Sequence, residues 1–196
     1  MQDSAFAAAV RQAPRRVLRC WLQPYSIGHE LILLQECNPL LGDLSFFNEL
    51  PLDQRCHAVV RAVQVCARTW EENKHPDRWL RLWCWLIRRE DPAFAALEFR
   101  SYREEGSSMP GIKPEKNDGR ELGSPFLARL IAFAGPIFGA AVYDVPLGMA
   151  QWLYFAEMEF QGCVKVKNRF DLQVEAEIRQ HEEDYRKEQE AKLAGA

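Results

Sequence analysis

Residues 51–70, PLDQRCHAVVRAVQVCARTW, decide the fold class. Cys56, Val59, Val60, Val63, Cys66, Ala67 and Trp70 return at three- and four-residue spacing, which gathers them on one face of an α-helix. Gln54, Arg55, Arg61, Gln64, Arg68 and Glu71 take much of the remainder. The spacing predicts a helix that opens after Pro51 and is stopped by Asn73 and Pro76.

The same period continues on both sides. Toward the N-terminus, residues 4–13 and 14–22 read as two short helices or one kinked at Pro14, because proline removes a donor from a helix interior. Ile27, Leu31 and Leu34 follow Ser26, a candidate N-cap, and that helix stops at Asn38-Pro39. Beyond residue 76, Trp79, Leu82, Trp83 and Leu86 make an aromatic stripe. Asp91-Pro92 then supplies a cap and a first-turn proline for a helix through about Arg103.

Residues 104–123, EEGSSMPGIKPEKNDGRELG, break the pattern and read as a linker or mobile loop. Past it, Ser124-Pro125 opens an apolar helix that Gly135-Pro136 interrupts or ends. Asp144 and Pro146 open another, closed by Gly162 and apolar almost all round. In the last helix, residues 170 to about 193, Phe170, Val174, Ile178, His181 and Tyr185 form a narrow stripe amid charges. Residues 171–196 hold eight acids and four bases, a net charge of −4, so the charged face is either a solvated surface or an edge for a basic partner. Few β-branched residues and no sustained alternation argue against a sheet. The expectation is an all-α, irregular bundle of seven or eight helices with a long central loop, divided into residues 1–103, a flexible linker or loop at 104–123, and a helical region at 124–196.

Composition narrows the function. The 196 residues carry a net charge of −3, which gives no general attraction to nucleic acid. Arginines cluster at 11–19 and 78–89, but Trp79, Trp83 and Leu86 explain the second group as amphipathic packing, so nucleic-acid binding is not expected. The six cysteines lack a C-x-x-C pair and follow no secretory leader, which predicts cytoplasmic thiols rather than disulfides. The longest apolar run, residues 130–142, falls short of the roughly 20 residues that span a bilayer, so no membrane segment is expected.

Chemical motifs are incomplete. His29-Glu30 begins a zinc-protease HExxH string, but Leu33 stands where the second histidine must lie, and His181-Glu182 fails likewise at Tyr185. His29, next to Gly28, suits a structural or capping role at a tight helix entrance. Cys56 and His57 are adjacent and point to different helix faces, so they do not form a nucleophile and base. No phosphate-binding glycine loop is present, and no catalytic residue, metal site or cofactor is expected.

Two stretches carry a resemblance. CWLQPYSIGHELILLQECNPLL, with Pro24, Tyr25, Gly28, His29, Asn38, Pro39 and Leu40, resembles the opening of small helical proteins encoded among the tail genes of phages and prophages. YDVPLGMAQWLYFAEMEFQG, with Asp144, Pro146, Ala150, Trp152 and Glu157, resembles their second recurrent region. The resemblance implies a cytoplasmic tail assembly factor or chaperone whose partner is a phage-like tail protein, with the tape measure protein as the first candidate. A structural component or adaptor of a tail-like particle, and a small helical enzyme without a recognisable motif, are the alternatives. On this reading Trp79, Trp83 and Leu86, and separately Val174, Ile178 and Tyr185, are the candidate protein-binding stripes, for a partner or for self-association.

Overall fold

The computed structural model describes residues 6–7, 10–75, 91–114, 124–167 and 169–194. Among them are eight α-helices: α1 (Ile27–Gln35), α2 (Leu44–Glu49), α3 (Leu52–Cys66), α4 (Trp70–Asn73), α5 (Pro92–Gly106), α6 (Phe126–Phe138), α7 (Leu147–Phe160) and α8 (Arg169–Ala194). Two antiparallel ribbons join them, β1 (Arg15–Val17) with β2 (Cys20–Leu22) and β3 (Ile112–Pro114) with β4 (Val164–Val166). The protein is an irregular multi-helix bundle. The stripe Trp79, Trp83 and Leu86 lies outside the described residues.

Helix starts follow local chemistry. The Ser26 side chain accepts from the His29 amide, and Asp91 accepts from the Ala93 amide with Pro92 in the first turn. At the end of α7, Gly162 takes φ +70° while its amide bonds Glu159 and that of Cys163 bonds Met158. These two bonds make a Schellman cap, in which glycine avoids the steric cost of a left-handed residue.

Four expectations change. Residues 15–22 form a hairpin instead of a helix, turning on Leu18 and Arg19 at φ +47° and +65°. Val17 and Leu22 are buried while Trp21 lies outside under the Arg16 guanidinium, so the ribbon has one apolar and one solvent face. The helix after Pro51 ends at Cys66, and Thr69 caps the separate α4 with a reciprocal Glu72 bond, which takes Trp70 out of the α3 stripe. Residues 104–106 complete α5, and residues 112–114 pair with β4, so the first part of the composition break is ordered structure. Finally, α6 continues through Pro136, on its solvent side, until Gly139 turns the chain at φ +58°.

That turn bears on the apolar run Phe126–Asp144, whose 19 residues have the length and hydropathy of a membrane span with only 17% of the window buried. The 3-10 helix Gly139–Asp144 packs back beside α6 and α1. The straight part is therefore the 13 residues of α6. At 1.5 Å per residue that is about 20 Å, against a hydrocarbon core of about 30 Å.

One core links the two sides of the composition break. Val59, Val63 and Cys66 of α3, Ala96 and Phe99 of α5, Leu130 and Ala134 of α6, and Leu147 and Ala150 of α7 belong to a single buried cluster. Burying a side chain such as Phe99 stabilises the fold by about 2–3 kcal/mol.

Candidate functional site

The two motif stretches, far apart in sequence, meet in the core. Ser26 and Pro146 form an antiparallel bridge, flanked by the Ile27 amide on the Val145 carbonyl (3.1 Å) and the Leu147 amide on the Tyr25 carbonyl (2.8 Å). Gly28 sits against this seam. A Cβ there would lie 2.7 Å from the Tyr143 carbonyl oxygen and 2.8 Å from the Trp70 ring, so only glycine allows the approach. Trp70 and Tyr143 stack over it with centroids 4.2 Å apart. Asp144, expected to open α7, instead accepts the Trp70 amide at 2.7 Å and so caps α4, while Pro146 is the residue at the α7 boundary.

His29 completes the junction. Its Nδ1 accepts the Ser26 amide at 3.2 Å, closing a capping box, and its Nε2 faces the Arg68 carbonyl at 2.8 Å. These partners define the neutral tautomer protonated at Nε2. Burial holds the imidazole below the usual histidine range, against the opposing pull of the Arg68 carbonyl and Asp144. Asn38 works the same way: its amide donates to Ala58 (3.0 Å), and its oxygen caps the turn begun by Pro39. Pro24 is exposed in the extended link to Ser26, and Trp152 is half-buried with Phe6 edge-on at 5.8 Å and its indole N–H unpaired.

Beside the junction lies a partly buried polar cluster. Glu30 receives the Tyr25 hydroxyl and a two-pronged Arg103 contact, Nε at 3.1 Å and Nη2 at 2.8 Å. The Tyr102 hydroxyl donates to the Gln23 carbonyl (2.5 Å), and the Gln12 amide bridges the Tyr25 N–H and the Tyr102 carbonyl at 2.7 Å each. Burial pushes the Tyr25, Tyr102 and Cys66 groups far above their ordinary values, Glu30 adding to the shift of Tyr25. Arg103 is held protonated by its bonds to Glu30.

These groups are engaged with one another and with the backbone. A nucleophilic thiol needs a lowered pKa, and Cys66 is moved the other way. The imidazole of His29 has both nitrogens engaged by backbone groups, which leaves none for a substrate. Among the described residues no group of three or more His, Cys, Asp and Glu is placed to hold a metal ion.

The surface offers more. A groove of about 730 Å³ is lined by Arg16, Leu18, Arg19, Asp91, Phe94 and Glu98, and another of about 600 Å³ by Glu36, Asn38, Asp53, His57 and Arg61. Arg61 is clamped onto Glu36, and Arg19 and Asp53 have partners too. Phe160 at the end of α7 is 90% exposed, and Ile137 of α6 is also open to solvent.

Helix α8 differs from the rest. Its start is tied down by Lys113 Nζ on Asp171 at 2.7 Å, and Val174 is half-buried. From 176 to 187 every residue is exposed, with Ile178 at 53% and Tyr185 at 61%. The structure thus gathers Gly28, His29, Asp144 and Pro146 at one junction, sets Asn38 and Pro39 past the other end of α1, where Asn38 bonds Ala58 of α3, and leaves Ile178 and Tyr185 on a separate, solvated helix. Sequence reasoning does not single out Glu30 or Arg103 as partners. Each reads locally as an ordinary charged helix residue, and only a contact across 73 positions pairs them.

No known protein family, characterised protein or solved structure matches this chain.

Proposed function

We propose that this chain is a non-catalytic, helical protein-binding adaptor acting in the cytoplasm as a tail assembly chaperone for a phage-like tail protein, with the tape measure protein as the first candidate. The adaptor part rests on one observation: α8 carries an apolar stripe, Ile178 and Tyr185, into solvent over a stretch where no side chain is buried. Such a face lowers its free energy by docking on another helix or in a groove. The tail-assembly part rests on the resemblance of the two motif stretches, whose residues here build the junction that holds α1 and α7 together.

Co-expression tests it. The chain produced together with tail proteins from its own source genome is expected to raise the soluble yield of one of them and to co-purify with it. Mass spectrometry of finished particles separates the alternatives, since a chaperone is absent from them and a structural component is present. A chain that neither co-purifies with any tail protein nor changes its solubility defeats the reading.

A further inference from the structure

The α8 stripe has a register that specifies its occupant. Val174, Ile178, His181 and Tyr185 follow one another at spacings of four, three and four residues, the seam of a two-heptad coiled coil with Ile178 and Tyr185 at a and Val174 and His181 at d. In that register Glu177 and Asp184 fall at g and Glu182 at e, beside the seam. The bases fall elsewhere: Arg179 and Arg186 at b and Lys187 at c. Among the described residues, Glu177 accepts the Gln173 amide at 3.2 Å, and Asp184 lies 3.9 Å from Lys187 Nζ. All three acids are exposed.

Charges at e and g select the partner helix. In a parallel pair of identical α8 helices, Glu177 of one copy faces Glu182 of the other, and an antiparallel pair sets g against g and e against e. Both arrangements oppose like charges. The seam is apolar enough to be covered and flanked so as to reject a second copy. We propose that α8 docks a helix of a different chain, one with an apolar a/d seam and Lys or Arg at e and g, forming a short heterotypic coiled coil. The inference rests on the adaptor reading and adds the chemistry of the partner. A seam from Val174 to Tyr185 rises only about 17 Å, so the complex is a reversible one.

The test uses the full chain and two labelled synthetic helical peptides about four heptads long. Both carry Leu at a and d; one has Lys at e and g, the other Glu. Fluorescence anisotropy at low salt is expected to show the Lys peptide bound at least about tenfold more tightly, a preference that shrinks as ionic strength rises. Changing Glu177, Glu182 and Asp184 to Lys is expected to invert the preference, and changing them to Gln, Gln and Asn to abolish it. Because the helix is solvated here, circular dichroism of each variant should match the parent. Ile178→Ser with Tyr185→Ser is expected to weaken binding of the Lys peptide. Equal affinity for the two peptides, or a preference untouched by either charge variant, overturns the proposal. So does a dimer of the parent chain in sedimentation that the serine pair dissolves. If a tail protein is captured and charge reversal leaves capture unchanged, the adaptor reading stands and this register falls. If the Lys peptide shows the expected preference but no tail protein responds, the register stands and the tail-assembly reading falls.

Discussion

Around residues 25–30 and 143–147, most backbone and side-chain polar groups have a partner and space is so tight that one added methyl collides with a carbonyl and an indole. Between residues 176 and 187 of α8, every residue is exposed and the apolar groups touch water. Of the motif residues, Gly28, His29, Asp144 and Pro146 belong to the first region, where two distant segments are held together. The second region reads as an ordinary charged helix, yet it is the one with an uncovered apolar stripe. A motif built from Gly, Pro, Asn and His here reports demands of the fold, whereas the candidate binding helix is marked by a pattern of charges around a narrow seam.

The contrast breaks first at Glu30. Removing its carboxylate with Glu30→Ala strands the Arg103 guanidinium and the Tyr25 hydroxyl in a largely buried setting. A loss of about 3 kcal/mol is expected, at the low end for a buried pair because Arg103 keeps some contact with water. Urea unfolding monitored by circular dichroism measures it, and a loss under about 1 kcal/mol would make the cluster peripheral to stability.

Gly28→Ala comes next. The new methyl must push the Tyr143 backbone and the Trp70 ring off the seam, and the expected cost is about 2 kcal/mol, typical of overpacking. An unchanged melting temperature would mean that the two segments separate without penalty. Then the Ser26–Pro146 bridge would not be what holds them.

His29 adds a pH dependence whose sign follows from its environment. Its folded-state pKa lies below the unfolded value of 6.5, chiefly through burial. Above pH 6.5 both states are neutral and the full contribution is present. As pH falls from 6.5 toward the lowered folded value, the unfolded state binds the extra proton and stability drops by up to about 1.4 kcal/mol per pH unit. In His29→Gln, which retains a capping acceptor, that slope is expected to be absent, so the parent's stability advantage over the variant is constant above pH 6.5 and shrinks as pH falls below it. A difference that grows instead as pH rises above 6.5 would refute the neutral, buried assignment.

How much of this was legible depends on the range over which the cause acts. Ser26, Asp91-Pro92 and Gly162 were readable because a cap or a left-handed terminus needs only its own few residues. The capping role of His29 belonged to the same class. The hairpin at 15–22 was hidden because its two-residue turn uses Leu18 and Arg19 at positive φ, where Asn-Gly would have announced it. The break after Cys66 was hidden because Ala67 and Trp70 kept the helical period across it. Nothing local could pair Glu30 with Arg103 or seat Asp144 on the Trp70 amide, since those contacts exist only once α1, α4, α5 and the 3-10 segment before α7 have docked. For the candidate binding helix the balance is reversed. Its stripe and charge were fully visible, and what the fold adds is that the helix continues past its anchor without being covered.

The smallest effect on stability, and the one that sharpens the contrast most, is expected from Ile178→Ser with Tyr185→Ser. Neither side chain is buried, so neither loses a packed environment, and surface changes of this kind fall within about 0.5 kcal/mol. The helix itself persists because most of its length is fixed by its own backbone bonds and its start by Asp171 on Lys113. Association should respond differently. Deleting two of the four seam positions removes the apolar area that a partner helix would cover, leaving charged flanks that steer an encounter but do not sustain it. The same sample therefore answers two questions. A melt unchanged from the parent together with weaker capture places function on α8. A melt that falls as far as that of Glu30→Ala would mean that this helix packs onto the body in solution, and the two regions would then be parts of one core.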